Sequence, residues 1–183
     1  MHKIEKTPFT GLYVYHPQVF EDDRGYFFES YNANVWKDAG ITTQFIQDNE
    51  SQSKFGTVRG LHYQVHPYGQ SKLVRVTEGK VLDVVIDLRK NEETYGLQYS
   101  VILSQENKKQ LLIPRGFAHG FATLSKTAVF NYKCDNFYHR DSEYGINPLD
   151  QSLNIDWQLP SDDIILSAKD KDADNFGDHK DYE

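Results

Sequence analysis

Short runs rich in Val, Ile, Tyr and Phe recur along the chain at 12–19, 25–31, 43–47, 58–64, 71–78, 81–88, 99–103, 110–113, 120–123 and 128–134, separated by turn-forming residues. Close spacing of this kind predicts a β-sandwich or barrel. Val81-Leu82-Asp83-Val84-Val85-Ile86-Asp87-Leu88 is almost continuously apolar, which predicts a strand covered on both faces and central in its sheet. Helical signals are few. Asn34-Val35-Trp36-Lys37-Asp38-Ala39 ahead of Gly40 predicts a short helix ended by glycine, and Ser104-Gln105-Glu106-Asn107 predicts a turn. No internal repeat or low-complexity linker interrupts this pattern.

Composition narrows the reading. At 183 residues the chain suits a single domain, 1–183, and a domain of that size buries roughly 70% of its unfolded surface. An aromatic content of 14% beside a hydrophobic content of 38% fits a β-rich core built on Phe and Tyr. Beyond Lys169 the chain is charge-rich, with Phe176 and Tyr182 as its only large anchors, so 171–183 is expected to be a solvated tail. A formal charge of −7 argues against nucleic acid as a partner, and an anionic ligand needs a local basic pocket. The lone Cys134 cannot form an internal disulfide, and the early residues have no apolar signal core, which points to the cytoplasm. No run approaches the ~18–20 apolar residues that span a bilayer, so no membrane partner is expected.

The chemistry-bearing residues lie in three segments. Gly56-Thr57-Val58-Arg59-Gly60-Leu61-His62-Tyr63-Gln64 sets a guanidinium three residues before an imidazole. Gln70-Ser71-Lys72-Leu73-Val74 follows, and Ile113-Pro114-Arg115-Gly116-Phe117-Ala118-His119-Gly120-Phe121 brings a second imidazole. Residues three apart on a regular strand face opposite sides. If Arg59 and His62 share a pocket, Gly60 must mark a bulge or a change of direction. An imidazole with an ordinary pKa near ~6.5 accepts a proton at neutral pH. Taken alone, His62 reads more readily as an interior histidine and Tyr132 as core, and Lys72 has a lesser reading as an edge lysine with its stem on the sheet.

These segments, with Asp23-Arg24-Gly25-Tyr26-Phe27-Phe28-Glu29, Gln47-Asp48-Asn49 and Leu166-Ser167-Ala168-Lys169-Asp170 in the same order, resemble the dTDP-4-dehydrorhamnose 3,5-epimerase family. The resemblance implies a mainly β fold, a cupin-type double-stranded β-helix (jelly-roll barrel) with a few short helices. It implies a cytoplasmic homodimer whose N-terminal segment crosses to the second subunit. The implied reaction is cofactor-independent inversion of C3 and C5 of dTDP-4-dehydro-6-deoxy-D-glucose to dTDP-4-dehydro-L-rhamnose, in dTDP-L-rhamnose biosynthesis. The nucleotide-sugar partner is thus a dTDP-4-keto-6-deoxyhexose, whose ketone acidifies the neighbouring C–H bonds through an enolate.

By the same resemblance His62 is the base, oriented by Asp170. Lys72 holds the enolate oxygen and Tyr132 returns a proton from the opposite face. Arg24 and Arg59 neutralise the pyrophosphate, where planar bidentate donors suit phosphoryl oxygens. Glu29, Gln47, Asp48, Asn49, His119, Glu143 and Lys169 match binding positions, and Tyr138 matches the residue that stacks on thymine. A metal-holding cupin presents a His-x-His pair, but here Gln64 follows His62 and Lys72 adds a cation; no metal or other cofactor is expected. Three alternatives stay open: inversion of one carbon only, a metal-dependent cupin isomerase or oxygenase using His62 and His119, and a noncatalytic sugar-binding module.

Overall fold

The computed structural model describes residues 2–183. Its strands are β1 (Lys3–Lys6), β2 (Tyr13–His16), β3 (Phe20–Asp22), β4 (Gly25–Phe27), β5 (Gln47–Lys54), β6 (Val58–Gln64), β7 (Lys72–Glu78), β8 (Lys80–Asp87), β9 (Gln98–Ser104), β10 (Gln110–Ile113), β11 (Phe117–Thr123), β12 (Thr127–Cys134) and β13 (Glu143–Gly145). They form a six-stranded sheet in the order β1-β2-β10-β7-β12-β5, a five-stranded sheet in the order β13-β6-β11-β8-β9, and a separate β3-β4 hairpin. All strand pairings are antiparallel. Two such sheets laid face to face make the jelly-roll expected from the strand spacing.

Alternation along the strands divides the core into three. Val74, Val76 and Phe130 of the first sheet meet Val81, Val85, Phe117 and Phe121 of the second, filling the space between the sheets. Leu82, Val84, Ile86, Ala118 and Ala122 point the other way and are covered by Ile146, Leu153 and Trp157 from the C-terminal third. On the outer face of the six-stranded sheet, Tyr15, Leu73 and Leu112 are covered by Trp36. That tryptophan lies on α1 (Ala33–Asp38), which Asn32 caps through its side chain at 3.0 Å to the Asn34 amide. Gly40, at φ 81°, follows the helix as the pattern predicts.

β8 is buried on both faces, but it lies fourth of five strands instead of at the centre. The run at 43–47 is not a strand; β5 begins at Gln47 and runs through the polar sequence Gln-Asp-Asn-Glu-Ser-Gln-Ser-Lys. Of its inward row, Gln47, Asn49 and Ser51 meet a cavity instead of the apolar core and Ser53 accepts from Arg59, so no hydrophobic period marks it.

The expected solvated tail is also corrected. Asn147 N–H donates to the Asp174 carbonyl at 2.8 Å, Phe176 N–H to Asp150 at 2.6 Å and His66 N–H to the Tyr182 carbonyl at 3.0 Å, while the Tyr63 hydroxyl donates to the Lys180 carbonyl. Phe176 stacks on the buried His179 with ring centres 5.0 Å apart, and both Phe176 and Tyr182 join the outer core. Two aromatic anchors and a histidine suffice to dock a segment whose remaining side chains are charged. Deleting 172–183 should therefore lower unfolding free energy by roughly 3–5 kcal/mol, from the aromatic surface uncovered. A urea midpoint unchanged by the deletion would contradict this docking.

Candidate functional site

Between the sheets lie two connected hollows of about 350 and 430 Å³ that share His62, Lys72 and Tyr132 among their walls. His62 stands on β6 in the five-stranded sheet, whereas Lys72 on β7 and Tyr132 on β12 belong to the six-stranded sheet. An imidazole and a phenol therefore approach a molecule in the cavity from opposite sides.

The register at His62 resolves the spacing problem raised by Arg59. His62 pairs with His119 and Arg59 with Phe121, so three steps along β6 match two along β11, with a bulge between. Gly60 occupies it at φ 122°, and a Cβ there would lie 2.5 Å from the Gly120 Cα. Only glycine fits so close a backbone approach in that conformation. Both Arg59 and His62 consequently line the cavity. Arg59 is steadied by donating from Nε to Ser53 Oγ at 2.9 Å and from a terminal nitrogen to the Gln52 carbonyl at 3.3 Å.

Asp170 reaches His62 from far along the chain. Ile165 pairs in parallel with Thr57, exchanging hydrogen bonds with Gly56 and Val58, and this sets the direction of α2 (Ala168–Lys171). Ser167 caps that helix by accepting from the Asp170 N–H at 3.1 Å, and the carboxylate lies 2.6 Å from His62 Nε2. Burial opposes its charge, but the hydrogen bond and charge of His62, with Ser167 and the Gly60 backbone, outweigh burial and hold Asp170 below the usual carboxylate range. A carboxylate on one ring nitrogen orients the imidazole and strengthens it as a base.

Lys72 is enclosed in the same region, where burial lowers its pKa against the opposing pull of Cys134, Asp83 and Glu143. Its ammonium stands 6.0 Å from the centre of the Tyr132 ring. Burial raises the Tyr132 phenol above its ordinary value, leaving it a neutral donor. His119 is buried with Nε2 3.0 Å from Asp83, a residue that sequence reading passed over because it sits inside an apolar run. At the mouth, Glu143 accepts from the Tyr138 hydroxyl at 2.8 Å and from Lys169 at 2.5 Å. Burial works against its charge, yet these two hydrogen bonds hold its carboxyl below the usual range. Gln47 and Asn49 line the adjoining wall, joined at 3.1 Å.

Three of the matched positions lie away from this cavity. Asp48 points to the outer face of the sheet, 2.9 Å from Lys133. Arg24 is 90% exposed and tied to Asp22 at 2.6 Å, and Glu29 accepts from Asn32 at 3.2 Å. Gln64 is a further residue whose task was not legible. Its amide nitrogen donates to the Tyr68 carbonyl at 2.8 Å and its oxygen accepts from the His139 N–H at 2.6 Å, which fastens two loops at the mouth. Among the described residues no three His, Cys, Asp or Glu side chains gather as a metal-ligand set, and no helix is long and apolar enough to cross a membrane.

A jelly-roll that holds a carboxylate-braced imidazole opposite a phenol, with a half-buried cation beside them, is a scaffold for proton transfer. Residues 6–178 match the family model described as dTDP-4-dehydrorhamnose 3,5-epimerase. The chain is 48% identical over 176 residues to the dTDP-4-dehydrorhamnose 3,5-epimerase of Shigella flexneri, covering 96% of each. The crystal structure of the Elizabethkingia anophelis dTDP-4-dehydrorhamnose 3,5-epimerase superimposes with a TM-score of 0.93 at 51% identity, over 99% of both chains. That of the dTDP-6-deoxy-D-glucose-3,5-epimerase from Legionella pneumophila Philadelphia 1, in complex with dTDP-4-keto-L-rhamnose, superimposes with a TM-score of 0.92 at 45% identity, over 97% of this chain and 94% of that one. The chain belongs to the dTDP-4-dehydrorhamnose 3,5-epimerase family and is thus an isomerase.

The His62–Asp170 pair also has a signature in stability. The Asp170 carboxyl titrates lower when folded, so the unfolded chain binds more protons as pH falls and stability drops with it. Its contribution is complete above the unfolded value near ~4 and is lost as pH falls through the folded one. Asp170→Asn should flatten the acid limb of a stability–pH curve below about pH 4. An acid limb identical in both proteins would count against the pairing.

Proposed function

We propose that the protein inverts C3 and C5 of dTDP-4-dehydro-6-deoxy-D-glucose, giving dTDP-4-dehydro-L-rhamnose for dTDP-L-rhamnose synthesis, without a cofactor. The observation that carries this reading is the opposition of His62 and Tyr132 across one cavity, from different sheets. His62 removes the proton next to the ketone and Asp170 steadies the imidazolium that forms. The electron pair passes into the carbonyl, and the resulting enolate oxygen is held by the Lys72 ammonium, whose attraction grows as charge develops in a water-poor site. Tyr132 then donates its phenolic proton to the opposite face of the same carbon, which inverts it. Both C–H bonds flank one carbonyl, so the second carbon uses the same groups once His62 has released its proton to solvent and Tyr132 has taken one up from it.

At the nucleotide end, Arg59 serves the pyrophosphate. Gln47 and Asn49 give hydrogen bonds, His119 contacts the sugar, and Tyr138, held by Glu143, which Lys169 braces in turn, presents a flat face to thymine. Arg24, Glu29 and Asp48 do not reach the cavity of their own chain, and the β3-β4 hairpin leaves Phe20, Tyr26 and Phe27 more than half exposed. We infer a homodimer in which that arm is covered by a second copy and brings Arg24 and Glu29 to the partner's nucleotide. A free, buried Cys134 suits a cytoplasmic location.

Incubating the 4-keto sugar in D2O with chelator-treated protein should place deuterium at both C3 and C5, read by proton NMR. His62→Ala should abolish exchange by at least about 10²-fold. Tyr132→Phe should keep exchange while slowing inversion by a similar factor, since abstraction no longer leads to donation from the other face. Exchange at one carbon alone would assign a mono-epimerase. Activity lost to chelator and restored by a divalent ion would favour a metal-dependent cupin, and binding without any exchange a noncatalytic module.

A further inference from the structure

His62 and His119 are direct cross-strand partners, so two imidazole–carboxylate pairs stand side by side on this wall: His62 with Asp170, and His119 with Asp83. Proton abstraction accounts for the first pair but leaves the second unexplained. Asp83 lies on β8, wholly buried, and follows the inward row of Val81 and Val85. One oxygen meets His119 Nε2 at 3.0 Å while the other, Oδ1, has no hydrogen-bond partner among the described residues. A carboxyl so placed destabilises the fold relative to a valine, since burial without full pairing is costly. Packing does not explain its presence.

Charge balance indicates which atom of the pair carries the hydrogen. Lys72 is an enclosed cation, and the groups acting on it from the surrounding strands are Cys134, Asp83 and Glu143. Burial pushes the Cys134 thiol up to about 11 and raises the Tyr132 phenol, so neither is ionised at neutral pH. Glu143 is already committed to Lys169 and Tyr138. Burial raises the Asp83 carboxyl above its ordinary value, while the charge and hydrogen bond of His119 and the charge of Lys72 act against it. It is the fully buried acid left to balance Lys72, and as a carboxylate it accepts from His119 Nε2–H. Burial lowers the His119 pKa, with Lys72 and His62 acting in the same direction against Asp83, which favours a neutral ring. A neutral ring that donates at Nε2 keeps a lone pair on Nδ1, and Nδ1 makes no hydrogen bond to another described residue.

We infer that Asp83 is a positioning residue that fixes His119 as the Nε2–H tautomer, so that the Nδ1 lone pair accepts a hydrogen bond from a hydroxyl of the sugar ring. The role in sugar binding rests on the epimerase reading; the tautomer does not. A donor at Nδ1 would face the hydroxyl's oxygen instead and would turn the hydroxyl hydrogen away, so the tautomer selects how the ring is seated beneath His62.

Nitrogen-15 NMR of the histidine rings, with His119→Asn to assign the signal, reads the tautomer in the ligand-free protein. The unaltered chain should show a protonated Nε2 and a bare Nδ1. Asp83→Asn, whose amide can donate as well as accept, should mix the tautomers and lower kcat/KM by roughly 10- to 100-fold, the scale of one mispaired buried hydrogen bond. In a His119→Asn background, where an amide oxygen can stand near the Nδ1 place, adding Asp83→Asn should cost less than about twofold more, because the two act as a unit. A protonated Nδ1 in the unaltered chain overturns the inference even if Asp83→Asn fails to fold. So does an unchanged tautomer in Asp83→Asn, or a full additive loss in the double variant. Absence of exchange by the unaltered chain instead sinks the epimerase reading, and the sugar half of the inference with it.

Discussion

Arg59 and His62 reach one cavity only because β6 carries one residue more than the strand beside it. The extra residue turns the strand at Gly60, where the backbone of Gly120 leaves no room for a side chain. Leu61, displaced by the bulge, exchanges both of its backbone hydrogen bonds with Ile146, at 3.1 and 2.9 Å. The distortion that aims an anion-binding guanidinium and a base the same way therefore also anchors the C-terminal third to the sheet. That third ends in α2, which supplies Asp170 to the base. Aim and support come from the same irregularity.

The cavity concentrates charge that an ordinary core excludes. Lys72, Asp83 and His119 are all enclosed by strands, and the two imidazoles are cross-strand neighbours. Holding them on paired strands limits their reorientation when charge develops in the ligand, which is the physical advantage of a preorganised site. The apolar contacts between Phe121 and Phe130, stacked with centres 4.3 Å apart, close one side of this region. Polar groups and packed rings thus share the space between the same two sheets, and neither needs a loop to position it.

Strands that contribute apolar residues to the core could be read from the chain, and β5, polar on both faces, could not. β6, β10 and β12 fell within a residue of the apolar runs that predicted them. β5 was missed because its inward residues contact ligand space, so polar residues occupy both faces. The same cause hid Asp83, which resembles a lapse in an apolar strand until β11 brings His119 against it. The bulge could be anticipated because Arg59 and His62 have the wrong spacing for a regular strand. The tail could not, since composition weighs all of 171–183 equally while docking rests on Phe176, His179 and Tyr182. His62, Lys72 and Tyr132 were individually unremarkable in sequence; only the resemblance and then the sheet pairing put them together.

Gln64 shows how one position can be committed to a single use. It occupies the place where a metal-holding cupin presents its second imidazole, but both ends of its amide are engaged, with the Tyr68 carbonyl on one side and the His139 N–H on the other. A histidine at 64 could not replace both bonds with the same geometry, so a metal ligand at this position would loosen the two loops that frame the mouth. Clasp and ligand are therefore competing uses of one side chain, and here the order of the mouth depends on the first.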